Sequence, residues 1–272
     1  MAVLKPFLKW AGGKFKLAPF IHKNLPNRTG KRLIEAFAGS AAVSLALDFD
    51  AYILNDTNAD LINLYRILKS EKQSFIDFAH SFFTPSNNQE ARFYELREQF
   101  NNSNDVAERS AIFIYLNRHA FNGLCRYNSK GRFNVPFGKY KSPYFPETEM
   151  QGFICKADRM ELMNGDFQTT LMLAGSDDIV YCDPPYVPLS ETASFTAYAT
   201  GGFDFNDQIR LATIAQQTAE QTQGVLISNH DTEFTRKIYQ GARIETIYVQ
   251  RNIAANGSSR QKVGELLAIY GK

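Results

Sequence analysis

The sequence predicts an α/β chain on a Rossmann-like sheet, interrupted by an inserted block of helices and a β-hairpin. Three observations carry this. Short aliphatic and β-branched runs at 33–37, 51–56, 179–182 and 225–229 alternate with helical stretches, the pattern of parallel strands joined by crossover helices. From about residue 70 to 118 the apolar residues keep a helical period and no strand intervenes. Two last runs, 244–249 and 266–270, read as a closing antiparallel pair.

Length and composition set the bounds. A chain of 272 residues can bury one large core, or one core and a smaller insertion. With 44% hydrophobic and 21% charged residues it is not a disordered chain. No apolar run reaches the ~18 residues a membrane helix needs, and the first residues lead into no signal-peptide core. Cys125, Cys155 and Cys182 are odd in number and widely spaced. They fit reduced thiols in a cytoplasm rather than disulfides or a zinc site. His22, His80, His119 and His230 lack metal-ligand spacing and read as structural or surface groups, so no metal is expected.

The first element is Phe7-Leu8-Lys9-Trp10-Ala11-Gly12-Gly13-Lys14. Its glycines let backbone approach a ligand, Trp10 offers a stacking face, and Lys14 opens a helix toward Ile21. The spacing is not that of a P-loop, and a plain helix start after a glycine turn fits the same residues. Next come a strand at 33–37, a small-residue turn at 38–42 and a helix from Val43, the first βα unit of the sheet. Of the dinucleotide glycine pattern only Gly39 is present, which leaves room for a cofactor without phosphates. Asp56 ends the second strand 19 residues after Phe37, where such folds place a ribose-binding carboxylate. It suits equally an N-cap for the helix that starts near Asn58.

That helix carries Leu61, Leu64, Tyr65 and Leu68 on one face. Breaks at 84–88 and 101–104 divide the following helical span. Asn128-Ser129-Lys130-Gly131 then reads as a hairpin turn between 124–127 and 132–135. Residues 160–167 read as a strand ending in the pair Asp166-Phe167, which suits an adenine ring by one hydrogen bond and one stack, or a plain turn. The strand at 179–182 runs into Asp183-Pro184-Pro185-Tyr186. Prolines cannot continue a sheet, so a carboxylate is left at the strand's C-terminal edge, where open α/β sheets bind ligands. The Asp183 carboxylate, the Pro184 carbonyl and the Tyr186 ring suit a planar amine. Residues 187–202 read as a loop that closes on substrate. Residues 251–262 are basic and suit either phosphate contact or solvent.

Net charge is only +2, but it is unevenly distributed. From 109 to 146 there is no Asp or Glu, while Arg109, Arg118, Arg126, Lys130, Arg132, Lys139 and Lys141 fall inside. A segregated basic block with interleaved aromatics is the footprint of a polyanion partner.

Taken together, Phe-Leu-Lys-Trp-Ala-Gly-Gly-Lys, the Phe-x-Gly turn, the insertion and Asp-Pro-Pro-Tyr resemble the alpha-class DNA adenine-N6 methyltransferases. The run Asn122-Gly123-Leu124-Cys125-Arg126-Tyr127-Asn128, with 133–138, resembles the target-recognition hairpin of the Dam-type, GATC-specific members. The likeness runs from Phe7 to Tyr270. It implies a Rossmann-like S-adenosylmethionine-dependent methyltransferase sheet. Residues 1–56 and 146–272 would be catalytic, and 57–145 a helical plus β-hairpin DNA-recognition domain.

By that resemblance S-adenosylmethionine, converted to S-adenosylhomocysteine, is held by Trp10, Lys14, Phe37, Gly39, Asp56, Asp166, Phe167 and Asp183. Asp183, Pro184 and Tyr186 are the catalytic set. Arg126 reads guanine, Leu124 and Pro136 the thymine side, and Lys9 the first base pair. Tyr140 faces the outer pair, while Asn122 and Phe121 lie beside the vacated space. Arg97, Arg118, Asn128, Asn134 and Lys139 hold phosphates. Double-stranded DNA is the expected partner, with no membrane and no obligate protein; a monomer is expected. Two departures stand out: Ala41 where the family repeats a glycine, and Phe121 where close members carry tyrosine. The alternatives are a DNA adenine methyltransferase of another short target, or a DNA-binding module with a vestigial cofactor site; intact Trp10, Lys14, Asp56 and Asp183 speak against the module.

Overall fold

The computed structural model describes residues 3–26, 31–187, 202–250 and 262–271. The loops predicted at 187–202 and 251–262 lie, but for their end residues, outside the described residues.

The elements in order are α1 (Ala18–Lys23), β1 (Arg32–Glu35), α2 (Ala42–Ala46), β2 (Ala51–Asp56), α3 (Ala59–Glu71), α4 (Gln73–His80), α5 (Glu90–Asn102) and α6 (Val106–His119). Then follow α7 (Glu147–Ala157), β3 (Met160–Asn164), α8 (Phe167–Leu171), β4 (Asp178–Cys182), α9 (Phe205–Gln221), β5 (Gly224–His230), α10 (Glu233–Ile238), β6 (Arg243–Gln250) and β7 (Lys262–Tyr270). The strands form one seven-stranded sheet in the order β3-β2-β1-β4-β5-β7-β6. The β1–β4 and β4–β5 pairs are parallel, with Ile34 opposite Val180 and Val180 opposite Val225. The β5–β7 and β6–β7 pairs are antiparallel, with Leu226 opposite Ile269 and Ile244 opposite Ala268. This is the Rossmann-like sheet the sequence predicts, with its closing antiparallel pair.

The chain packs as two compact units. One comprises Met1–Ala18, Ala38–Asp48 and Leu54–Asn164; the other Pro19–Phe37, Phe49–Ile53 and Gly165–Lys272. In the first, α3 to α6 bury most of the predicted stripes: Leu61, Leu64, Tyr65 and Leu68, then Phe75, Phe93, Phe100 and Phe113, all at most 1% exposed, whereas Phe78 on α4 is 41% exposed. In the second, β4 and β5 are buried along their whole length. Such runs are what a sheet covered on both faces requires.

Three expectations change. β1 ends at Glu35 rather than Phe37, although Ala36 still donates to the Tyr181 carbonyl at 3.2 Å. The hairpin is not two continuous strands but two isolated antiparallel bridges, Ala120–Phe137 and Tyr127–Phe133. At its tip the Asn128 side-chain oxygen accepts from the backbone of Lys130 and Arg132 at 2.9 and 3.1 Å, and Gly131 takes φ +69°. Side-chain bonding of this kind competes with the ladder. The basic block is free of acids in sequence but not in space. Arg109 pairs with Asp60 and Arg132 with Glu98, each at 2.6 Å.

Candidate functional site

The Asp-Pro-Pro-Tyr turn follows directly from β4, in the second unit. Asp183 and Tyr186 are half-buried, Pro184 is buried and Pro185 exposed. The Tyr186 hydroxyl donates to Glu265 at 3.2 Å, and its ring meets His230 edge-on, 4.8 Å between centroids. Burial, with the Asp183 charge adding, raises the Tyr186 phenol well above its ordinary range. The Cys182 thiol is raised by the same causes. Both groups therefore stay neutral, and the turn offers a hydrogen-bond acceptor rather than a nucleophile.

The predicted acid–aromatic pair is in the same unit. It lies not at a strand end but at the start of α8, where Asp166 is the N-cap and accepts from the Gln168 backbone at 2.9 Å. Arg210 binds both Asp166 oxygens, at 2.8 and 2.9 Å, and holds this carboxyl below the usual range. The Arg210 guanidinium lies 4.2 Å over the Phe167 ring. Phe37 stacks on Phe167 with centroids 5.3 Å apart, and Phe203 closes edge-on against Phe37. Phe37, Asp166 and Phe167 are thus brought together.

The first unit holds the other cofactor candidates. Gly39 takes φ +46°, and a Cβ there would sit 2.7 Å from the Trp10 indole nitrogen. Its N–H donates to one Asp56 oxygen at 3.0 Å, and the Asn58 N–H donates to the other at 2.9 Å. Burial raises the Asp56 carboxyl, and these two donors partly oppose the shift. The N-cap reading of Asp56 is corrected: Asn58 caps α3, accepting from Leu61 at 3.1 Å. Asp56 instead ties the glycine turn to the helix start. Lys14 is 5% exposed and donates to the Gly12 carbonyl at 2.6 Å. Ala41 stands at φ +54°, a conformation glycine adopts more readily.

The recognition candidates also lie in the first unit. Lys9 is exposed, with its ammonium 4.7 Å over the Tyr140 ring. The Tyr140 hydroxyl accepts from the Asn122 backbone at 3.0 Å, and Asn122 takes φ +54°. Phe121 is 50% exposed, and its N–H donates to the Pro136 carbonyl at 2.9 Å. Leu124 is half-buried and Pro136 exposed. Arg126 projects from the hairpin, and its Nε donates to the Asn134 side chain at 2.8 Å. Arg97 donates to the Val135 carbonyl at 3.3 Å and lies over Tyr94. Lys139 is exposed at φ +56°.

Three of the phosphate candidates do more inside the fold than the sequence indicated. Asn128 shapes the turn and Asn134 holds Arg126. Arg118, 8% exposed, donates to the Phe7 carbonyl and faces Tyr144. Arg97 and Arg118 each keep a buried Nε without a hydrogen-bond partner among the described residues.

Residues 10–253 match the family model of the D12 class N6 adenine-specific DNA methyltransferases. The chain belongs to that family. It is 50% identical to a DNA adenine methylase of Vibrio cholerae serotype O1 over 98% of this chain and 96% of that one. It is 49% identical to the DNA adenine methylase of Serratia marcescens over 98% of both chains. The figure is 47% for the DNA adenine methylase of Escherichia coli K12, over 98% of this chain and 95% of that one. The protein is therefore an adenine-specific DNA methyltransferase, with DNA as substrate and a methyl donor of the S-adenosylmethionine type.

Sequence reading missed several residues that contact the candidates in each unit. Arg210 gives only an i, i+3 signal with Asp207 on α9, and nothing local links it to Asp166. Phe203 borders a Gly-rich stretch. Asn117, 1% exposed, accepts from Lys9 N at 2.9 Å and donates to Lys9 O at 2.7 Å and Gly123 O at 3.2 Å. Its partners lie over a hundred positions away, or across a turn.

Proposed function

We propose that the enzyme methylates adenine N6 within GATC in double-stranded DNA, acting on a base turned out of the duplex. The observation that carries the target choice is Arg126, exposed on the hairpin and fixed by Asn134 at 2.8 Å. A fixed guanidinium can read guanine N7 and O6 with two donors. Lys9, Tyr140 and Asn122 form a cluster of their own. The exposed Phe121 ring is available to wedge into the space a flipped base leaves. Extrusion costs roughly a few kcal/mol. The segment 57–145 is the recognition part, and the remainder the catalytic part.

The donor set fits S-adenosylmethionine. Gly39 makes one close approach, without the row of glycine N–H groups a pyrophosphate needs. Asp56 offers the ribose-type carboxylate. Phe37, Phe167 and Asp166 offer stacking and an acceptor for an adenine ring. Trp10, Lys14 and Asp183 complete the set. When bound, the cofactor supplies an electrophilic methyl group. The chain's own part is to prepare the amine. Adenine N6 is a poor nucleophile because its lone pair is delocalised into the ring. The Asp183 carboxylate and the Pro184 carbonyl each accept a hydrogen bond from the amino group. That directs the lone pair and offsets positive charge developing on nitrogen. Tyr186, neutral and held by Glu265, stacks on the base. Positioning supplies most of the remaining rate.

The setting is cytoplasmic. Mapping methylated adenines in DNA from cells that express the protein tests the target. Methylation confined to GATC is expected; a different short consensus would overturn the reading of the hairpin.

A further inference from the structure

Behind the Asp-Pro-Pro-Tyr turn lies a closed set of buried side-chain amides. Asn229, at the end of β5, is 0% exposed, and Gln208, on α9, is 2% exposed. The Asn229 oxygen accepts from the backbone N–H of Val187 at 3.1 Å and of His230 at 2.9 Å. Backbone N–H groups can only donate, so the orientation of this amide is forced. Its Nδ2 must then point the other way, where it donates to the Gln208 oxygen at 2.9 Å and the Tyr239 hydroxyl at 3.0 Å. All four positions of the Asn229 amide are filled. Gln208 is forced in turn: its oxygen faces Asn229, so its Nε2 donates to the Pro185 carbonyl at 2.7 Å. His230 closes the other side. Its Nδ1 lies 2.6 Å from the Val187 carbonyl, which can only accept, so this nitrogen carries the proton.

The Pro185 carbonyl and both backbone groups of Val187 are therefore held, and Tyr186 lies between them. The Pro184 carbonyl is one peptide before the clamped one. We propose that Gln208 and Asn229 are positioning residues for methyl transfer: their one-directional chain from Val187 N–H to Pro185 C=O fixes the turn that presents Asp183, Pro184 and Tyr186 to the target amine. The proposal rests on assigning that turn to the methyl-transfer step. The ordering lies in the polarity of the amides. A residue of equal size that cannot donate to Pro185 breaks the chain while still filling the space.

Gln208→Leu removes both ends of the link. Gln208→Glu is the sharper probe. An ionised carboxylate accepts from Asn229 but repels the Pro185 carbonyl. A protonated carboxyl has one donor and one acceptor, and restores the chain. Burial beside a carbonyl raises the pKa of an introduced carboxyl above the ordinary carboxylate range.

The experiment is single-turnover methyl transfer to saturating GATC duplex at saturating S-adenosylmethionine, from pH 5.5 to 8.5. Wild type, both Gln208 variants and Asp183→Ala are compared, with DNA dissociation constants measured alongside. The expected result is a ~10–100-fold lower rate for Gln208→Leu at every pH, with DNA and cofactor affinities within about threefold of wild type. Gln208→Glu should match Gln208→Leu at high pH and return toward wild type as pH falls. A merely structural role would not give that acid rescue. Rates for both Gln208 variants that track wild type across pH would overturn the proposal. So would a Gln208→Glu defect that acid does not relieve. If Gln208→Leu does not fold, the pH profile of Gln208→Glu alone decides. Persistent transfer by Asp183→Ala would instead show that the turn itself was misassigned.

Discussion

Gly39→Ala tests the proposed cofactor loop in the first unit. The new Cβ would lie 2.7 Å from the Trp10 Nε1 and 2.9 Å from its Cδ1, so the indole or the turn must move. The backbone stands at φ +46°, where a Cβ costs about 1–2 kcal/mol. Overpacking of this kind costs about 1–3 kcal/mol more. A stiffer unfolded chain returns about 0.4–1 kcal/mol. The net is a loss near 3 kcal/mol, which for a chain of this size lowers Tm by roughly 6–12 °C. The turn cannot simply rotate away. Its N–H is held by Asp56 at 3.0 Å, and its carbonyl accepts from the buried Tyr65 hydroxyl at 2.6 Å. Trp10 must therefore yield, and S-adenosylmethionine affinity should fall ~10-fold, about the 1.4 kcal/mol that equals a factor of ten. Calorimetric titration with the cofactor, alongside thermal unfolding, reads both effects. Wild-type affinity with Tm within about 2 °C would show that the indole does not depend on a bare Gly39.

Further outcomes follow from the same structure. Arg126→Ala should relax discrimination at guanine by about 1–3 kcal/mol, and Asn134→Ala should relax it in the same direction but less, read from methylation rates on single-base variants of GATC. Uniform weakening on all sequences would instead make Arg126 a phosphate contact. Arg210→Ala frees Asp166 and uncovers Phe167, and should raise the cofactor KM several-fold with little change in DNA binding. Burial pushes the His119 ring from near 6.5 down to about 4, against its hydrogen bond to the Tyr115 carbonyl and with Lys9 adding to the shift. The unfolded chain then takes up a proton below pH 6.5 that the folded one refuses until about 4. This contribution is complete above 6.5 and is lost as pH falls through that window, to a limit of ~3 kcal/mol. Urea unfolding from pH 7 to 4 should show less acid loss in His119→Gln than in wild type; equal slopes would contradict it.

Much of this was legible in the sequence because it is local. Strand runs such as 179–182, the helical stripes of α3 to α6 and the turn at Asn128–Gly131 are set by periodicity and turn chemistry over a few residues. Asp183 was legible because two prolines force the strand to stop beside it. The supporting contacts were not, since they join positions far apart in the chain. Arg210 reaches Asp166 across 44 positions and Gln208 reaches Pro185 across 23. No local period encodes such pairs. Arg109 and Arg132 misled for the same reason: the acids that neutralise them, Asp60 and Glu98, lie outside the basic window. The strand ladder of the hairpin was overestimated because Asn128 uses its side chain on the tip, and alternation alone does not reveal that.

In the proposed mechanism the carboxylate after β4 prepares the target amine. Transfer of a labelled methyl group from S-adenosylmethionine to a GATC duplex, by wild type and by Asp183→Ala, tests it most directly, with duplex binding measured on the same samples. Transfer lost in Asp183→Ala while the variant still folds and binds the duplex is the predicted result. Transfer at a rate near wild type would contradict the account.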